Sequence, residues 1–172
     1  MDINDIRIWN LSLSIFVIKE TILSYIDHKS SCRIASLDAE KAYDKVWRDG
    51  MFFKTKSKLN YTYWFLLKKY YNSSTANIMN EDRTIFSDFQ INCGVKQGGI
   101  LSPYLFNCFI DDLIHEITNR NVGALYKDLN TSIVVYADDI LLISPVGRHL
   151  QIMLDICTKY SSGWLIKFNP SK

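Results

Sequence analysis

The sequence predicts an α+β fold, an antiparallel-rich sheet with helices packed on one face, and three observations carry that prediction. Two short apolar runs rich in β-branched residues, Ile133 to Tyr136 and Ile140 to Ile143, are separated only by Ala137, Asp138 and Asp139, which is the pattern of a hairpin. Long stretches elsewhere repeat their apolar residues at three- and four-residue intervals, the period of an amphipathic helix. Helices and strands interleave without the regular alternation of a parallel sheet, and that order favours a layered α+β arrangement.

Taken in order, Ile15, Ile18, Ile22 and Ile26 predict a helix that ends before the polar stretch Asp27 to Ser31. A short strand, Arg33 to Leu37, delivers Asp38. From Glu40 the pattern turns helical, with Asp44 four residues before Arg48 and Lys45 four before Asp49, until Gly50 interrupts it. Helices follow over Met51 to Leu59 and Tyr63 to Tyr71. Thr75 to Met79 and Thr84 to Ile91 read as a hairpin turning at Asn80, Glu81, Asp82 and Arg83. Three glycines within Gly94 to Gly99 require a loop. Ser102 offers an N-cap and Pro103 a first-turn residue for a helix that buries Phe106, Phe109, Ile110, Leu113, Ile114 and Ile117. A helix over His149 to Tyr160 and a final strand over Leu165 to Phe168 complete the chain.

The 172 residues, 48% of them hydrophobic, suffice for one buried core, and no repeat or linker suggests a second. Twenty Lys and Arg against 18 Asp and Glu leave a net charge of +2, so net charge alone argues for no nucleic-acid partner. Cys32, Cys93, Cys108 and Cys157 form no C-x-x-C pair and have no nearby histidine set, so neither a zinc site nor a disulfide framework is suggested and a reducing, intracellular compartment is the default expectation. The apolar run from Leu11 to Ile18 is preceded by Asp2 and Asp5 and followed by Lys19 and Glu20, unlike a signal peptide. No stretch is long enough to span a membrane.

Asp138 and Asp139 place two carboxylates at a turn where Asn-Gly or Gly-x is usual. Their repulsion calls for compensation. A divalent cation such as Mg²⁺, which takes hard carboxylate oxygens, supplies it; an acidic solvated turn is the alternative. Asp38 ends a strand, where a side chain can project towards a site, or can simply cap the next helix. Together, a strand-end Asp, a glycine-rich loop entering a helix and an acidic hairpin suit two-metal phosphoryl transfer. Asp111, Asp112 and His115 form a second acidic group, expected to be a solvated helix face. His28 and His149 are expected on the surface.

These residues form familiar motifs. Leu37 to Val46 resembles the first catalytic motif of reverse transcriptases from non-LTR (LINE-type) retrotransposons, and Gly94 to Pro103, running on into Leu105, Phe106 and Asn107, resembles the second. Tyr136-Ala137-Asp138-Asp139 is similar to the third, and Gly163 to Lys172, with Asn169 and Pro170, to the fourth. The resemblance implies a palm over residues 12–172, with residues 1–11 unassigned and the fingers and thumb largely missing. It implies two Mg²⁺ ions, or Mn²⁺ in their place, held by Asp38 and Asp138, with Asp139 more peripheral and the Ala39 carbonyl as a further contact. Tyr43 falls at the steric gate against the sugar, although by itself it reads as a core aromatic. Gln97 and Gly98 fall beside the nucleotide and template base, although the glycines also make the turn. Lys172 falls near the departing pyrophosphate.

The implied activity is RNA-directed DNA polymerisation: addition of deoxynucleotides to a primer on an RNA template, with the rest of a retrotransposon polyprotein (fingers, thumb, endonuclease) as partner and the nucleus as the parent element's site of action. Lys54, Lys56, Lys58, Lys68 and Lys69 are candidates for holding the duplex backbone, or are ordinary solvated faces. Without fingers and thumb, the isolated chain is expected not to copy RNA processively. Two rival readings are a decayed or repurposed fragment that binds nucleic acid or protein without catalysis, and a nucleotide cyclase-like palm, against which the Gln-Gly loop and the Tyr-Ala-Asp-Asp turn argue.

Overall fold

The computed structural model describes residues 11–81 and 87–169, and within them the chain forms five helices and seven strands. They fall into two compact units: residues 1–42 with 110–172, and residues 43–109. The fold is mixed α+β with antiparallel sheets.

In the first unit, α1 (Leu11–Asp27) precedes β1 (Arg33–Asp38), and β6 (Ile133–Tyr136) turns directly into β7 (Asp139–Ser144). These strands form an antiparallel sheet in the order β1-β7-β6, so the strand that delivers Asp38 lies against the one that begins at Asp139. Ile133, Val134 and Val135 are all buried, as are Leu142 and Ile143, which is why these runs are continuously apolar rather than alternating. Helix α5 (Gly147–Trp164) packs on β7 and β1 and contributes Met153 and Cys157 to the core. The predicted last strand does not form. Leu165 takes a left-handed conformation (φ 58) that ends α5, and the chain beyond it makes one bridge, Phe168 to Ala39.

The helical period over residues 15–26 is right, but the predicted stripe is not the buried one. Ile15 and Ile26 are exposed, while Ser14 and Thr21 are buried on the helix that contacts β6 and β4 (Leu125–Tyr126). Thr21 satisfies its hydroxyl on the Val17 carbonyl at 2.7 Å, so a small polar residue can occupy the seat. Strand β4 pairs with β5 (Leu129–Asn130) through a two-residue loop whose Lys127 has φ 55, a hairpin that sequence periodicity did not announce.

Residues 40–44 form turns instead of the predicted helix, and in the second unit α2 starts later, at Arg48–Thr55. Gly50 lies inside α2 and does not interrupt it; a Cβ there would come within 2.5 Å of the Trp47 ring. Helix α3 (Tyr61–Asn72) begins at Asn60, whose side chain accepts from the Thr62 N–H at 2.9 Å. Strands β2 (Thr75–Ala76) and β3 (Phe89–Gln90) pair antiparallel as expected; Asp82, Arg83 and Thr84 to Phe86 lie outside the described residues. Helix α4 (Ser102–Thr118) runs through both units, and all six residues predicted for its buried face are buried. The Ser102 hydroxyl donates to the Lys96 carbonyl and so ties the glycine-rich loop to the helix start.

Candidate active site

The β1–β7 register sets the acids. Asp38 is the Cα partner of Asp139, and Tyr136 is paired with Asp139 on the other side, so the hairpin loop is only Ala137 and Asp138. A two-residue hairpin loop needs positive φ at its first position, and Ala137 takes φ 52 without being glycine, a strained choice worth about 1 kcal/mol. The loop is fastened to β1 by the Ala39 N–H, which donates to the Asp138 carbonyl at 3.1 Å. Asp38 and Asp138 are half-buried and Asp139 is exposed.

Residues directly opposite in an antiparallel pair bring their Cβ atoms to about 5 Å, and like charges so placed are destabilising. That is the position of Asp38 and Asp139. Their hard carboxylate oxygens suit a divalent cation of the Mg²⁺ class. Among the described residues, however, no three His, Cys, Asp or Glu side chains are grouped as a metal would require. The structure therefore places the acids on one end of a sheet without closing them into a ligand set.

Asn169 is an addition that the spacing did not reveal. Its backbone N–H donates to the Asp38 carbonyl at 2.8 Å, and its side-chain amide reaches Asp38 Oδ2 at 3.5 Å. Together with the Glu40 N–H donating to the Lys167 carbonyl at 2.7 Å, this lays the fourth motif along the first. Lys172 lies outside the described residues.

The second unit carries the other candidates. The Gly94 N–H donates to the Val46 carbonyl at 2.9 Å and the Val95 N–H to the Tyr43 carbonyl at 2.7 Å, so the glycine-rich loop is stitched to the second half of the first motif. Gly94 has φ 80 and lies against backbone, and Gly98 has φ 72 in open space. Gln97 Nε2 donates to Asp44 Oδ1 at 2.7 Å, which gives Asp44 a partner other than the predicted Arg48. Arg48 is instead buried and donates to the carbonyls of Gly94 (2.9 Å), Tyr71 (2.8 Å) and Ile91. A cleft of about 520 Å³ opens beside Gln97, lined also by Asp44, Arg48, Tyr71 and Lys96. Tyr43 is half-buried, its ring 5.2 Å from that of Phe106.

Two charged residues differ from expectation. Asp111 is 4% exposed, not on a solvated face, and stands 3.8 Å from the exposed His115, one turn along α4. Burial, with Asp112, Asp111 and Glu116 nearby, pushes the Tyr160 phenol well above its ordinary range. Lys54 is buried, its ammonium donating to the Phe109 carbonyl at 2.7 Å, which removes it from any surface that could hold a duplex. His28 is exposed as expected and His149 is half-buried.

Residues 7–172 match the family described as Reverse transcriptase (RNA-dependent DNA polymerase). The chain belongs to that family. Its relatives include the probable RNA-directed DNA polymerase from transposon BS of Drosophila melanogaster, 30% identical over 88% of this chain, and the RNA-directed DNA polymerase from mobile element jockey of Drosophila funebris, 26% identical over 87%. The Pol polyprotein of the R2DM element of Drosophila melanogaster is 30% identical over 84% of the chain. This reverse transcriptase domain is thus related to those of non-LTR retrotransposons, and it spans 17%, 16% and 14% of these three proteins. The telomerase structures from Candida albicans and Candida tropicalis share its fold, with TM-scores of 0.68 and 0.62 over 94% of this chain and 30% and 35% of theirs, at 12% and 13% identity. Among the described residues no helix is long and apolar enough to cross a membrane.

Proposed function

We propose that residues 12–172 are the palm core of a retrotransposon's RNA-directed DNA polymerase, which adds deoxynucleotides to a primer 3′-hydroxyl on an RNA template. The observation that supports this reading most directly is the pairing of Asp38 with Asp139 across β1 and β7, one residue from Asp138. In it, Asp38 and Asp138 are the main ligands of two Mg²⁺ (or Mn²⁺) ions, with Asp139 and the Ala39 carbonyl as further contacts. When bound, such ions make the primer hydroxyl more acidic and offset charge on the leaving pyrophosphate. The chain's own residues supply position: Asn169 holds Asp38 in place, Tyr43 excludes a sugar 2′-hydroxyl, and Gln97 and Gly98 line the nucleotide and template base. Lys172 takes the pyrophosphate end. Fingers, thumb and endonuclease elsewhere in a polyprotein, and action in the nucleus, belong to the same proposal.

A complete polymerase carrying this segment tests it, assayed by primer extension on RNA with all four deoxynucleotides. The expected result is template-dependent extension that EDTA abolishes. A second reading, a repurposed module that binds nucleic acid or protein without catalysis, draws on the absence of a grouped ligand set among the described residues. Retained RNA binding with no extension at any Mg²⁺ or Mn²⁺ concentration would establish that reading instead.

A further inference from the structure

Helix α3 presents a surface that neither the core nor the motifs explain. Tyr61 and Phe65, one turn apart, are 67% and 51% exposed. The Tyr61 ring lies 6.1 Å from that of Trp64 and 6.3 Å from that of Phe65, with interplanar angles of 28° and 25°, so the three make a tilted, nearly parallel set. Trp64 is pinned: its indole N–H donates to the Phe52 carbonyl at 2.8 Å and its ring meets Phe52 edge-on. Two ammonium groups flank it, Lys68 at 5.2 Å and Lys56 at 5.9 Å from the ring centroid.

Charge selects the occupant. From Gly50 to Asn80 the chain has five lysines and no Asp, Glu or Arg; with Lys54 buried on the Phe109 carbonyl, the other four leave a local charge of +4 outside the core in a protein whose total is +2. A solvated face has no need of three aromatic rings, and the centre of a protein interface is depleted of lysine. Rings preset for stacking beside cations that can track a phosphate backbone are the combination by which single strands are held without regard to sequence. We propose that Tyr61, Trp64 and Phe65, with Lys56 and Lys68, form a stacking platform for single-stranded nucleic acid. It extends the polymerase reading by naming a strand-binding surface, and it is testable without metal or nucleotide, so the two can fail separately.

The test uses the whole chain and a fluorescent single-stranded RNA of about twelve nucleotides, within the range of such sites, followed by anisotropy in EDTA. Y61A/F65A weakens binding about tenfold or more, the loss expected when one or two stacked bases lose their platform; Y61F/F65Y retains it. K56Q/K68Q lowers the slope of log affinity against log salt by about 1.4, two single-strand phosphate contacts. An abasic oligonucleotide of equal length binds the parent about as weakly as the RNA binds Y61A/F65A. Equal affinity for abasic and natural strands overturns the proposal, as does unchanged binding by folded Y61A/F65A. Should that variant fail to fold by circular dichroism, the abasic comparison and K56Q/K68Q decide. Self-association abolished by Y61A/F65A, with no RNA binding, would assign the face to a second copy and also overturn it.

Discussion

Replacing Gly94 by alanine leaves every hydrogen-bonding group in place, yet it should cost far more than the same change at Gly98 in the same loop. Both residues have positive φ, 80 and 72, where an L side chain loses roughly 1 kcal/mol. At Gly98 the account stops there, because nothing lies within 4 Å of the added Cβ. At Gly94 the Cβ would stand 2.5 Å from the Asp44 carbonyl oxygen, 2.8 Å from its carbon and 2.9 Å from the Tyr43 oxygen. All three are backbone atoms that no rotamer change can move. Overpacking of this kind adds about 1–3 kcal/mol, for a total near 2–4 kcal/mol. Relief would require the loop to move off the segment that the Gly94 and Val95 N–H groups hold. At the usual conversion for a chain of this length, thermal unfolding by circular dichroism should fall about 3 °C for Gly98→Ala and about 10 °C for Gly94→Ala. Equal losses, or a larger loss at Gly98, would refute the close-approach argument.

Further outcomes are open to measurement. Under the proposed function, Asp38→Asn or Asp138→Asn in a complete polymerase removes a ligand charge and should lower primer extension on the order of a hundredfold or more, while the exposed control Asp112→Asn changes little; comparable losses in all three would refute the site. Tyr43→Ala should raise ribonucleotide incorporation relative to deoxynucleotide, because selection by a clash is lost with the ring; an unchanged ratio would leave Tyr43 as the neighbour of Phe106 alone. Burial and Glu116 push the Cys157 thiol up to about 12, so an aromatic disulfide reagent at pH 8 should label exposed Cys93 quickly and Cys157 only on unfolding. The same shift makes the folded chain bind more protons than the unfolded one above pH 9, so stability should fall as pH rises from 9 to 12, and less steeply in Cys157→Ala; a steeper fall would reverse the assigned sign.

What the sequence determined by itself was whatever depends on near neighbours along the chain. The buried face of α4 follows from a 3.6-residue period, the β6–β7 hairpin from two apolar runs around a two-residue loop, and the loop of the second motif from glycines that alone tolerate its turns. The three acids were visible for the same reason: Asp38 ends β1, Asp138 lies in the hairpin loop and Asp139 begins β7. What only the tertiary structure decided were the pairings between distant segments. Glu40 to Asp44 read as helix because their charges suited one, but carbonyls at Tyr43 and Val46 are taken by the glycine loop, and Arg48 turns inward to three other carbonyls. Asp111 and Lys54 looked solvated because charge usually is, and became buried through groups reached only by folding. The strand expected at Leu165 to Phe168 shrank to one bridge because a left-handed Leu165 ends α5 there. Asn169 acquired Asp38, 131 residues away, as its partner. Periodicity reports which side of an element is apolar; it carries no information about which distant backbone will claim the groups on that side, and that choice is made when the whole chain packs.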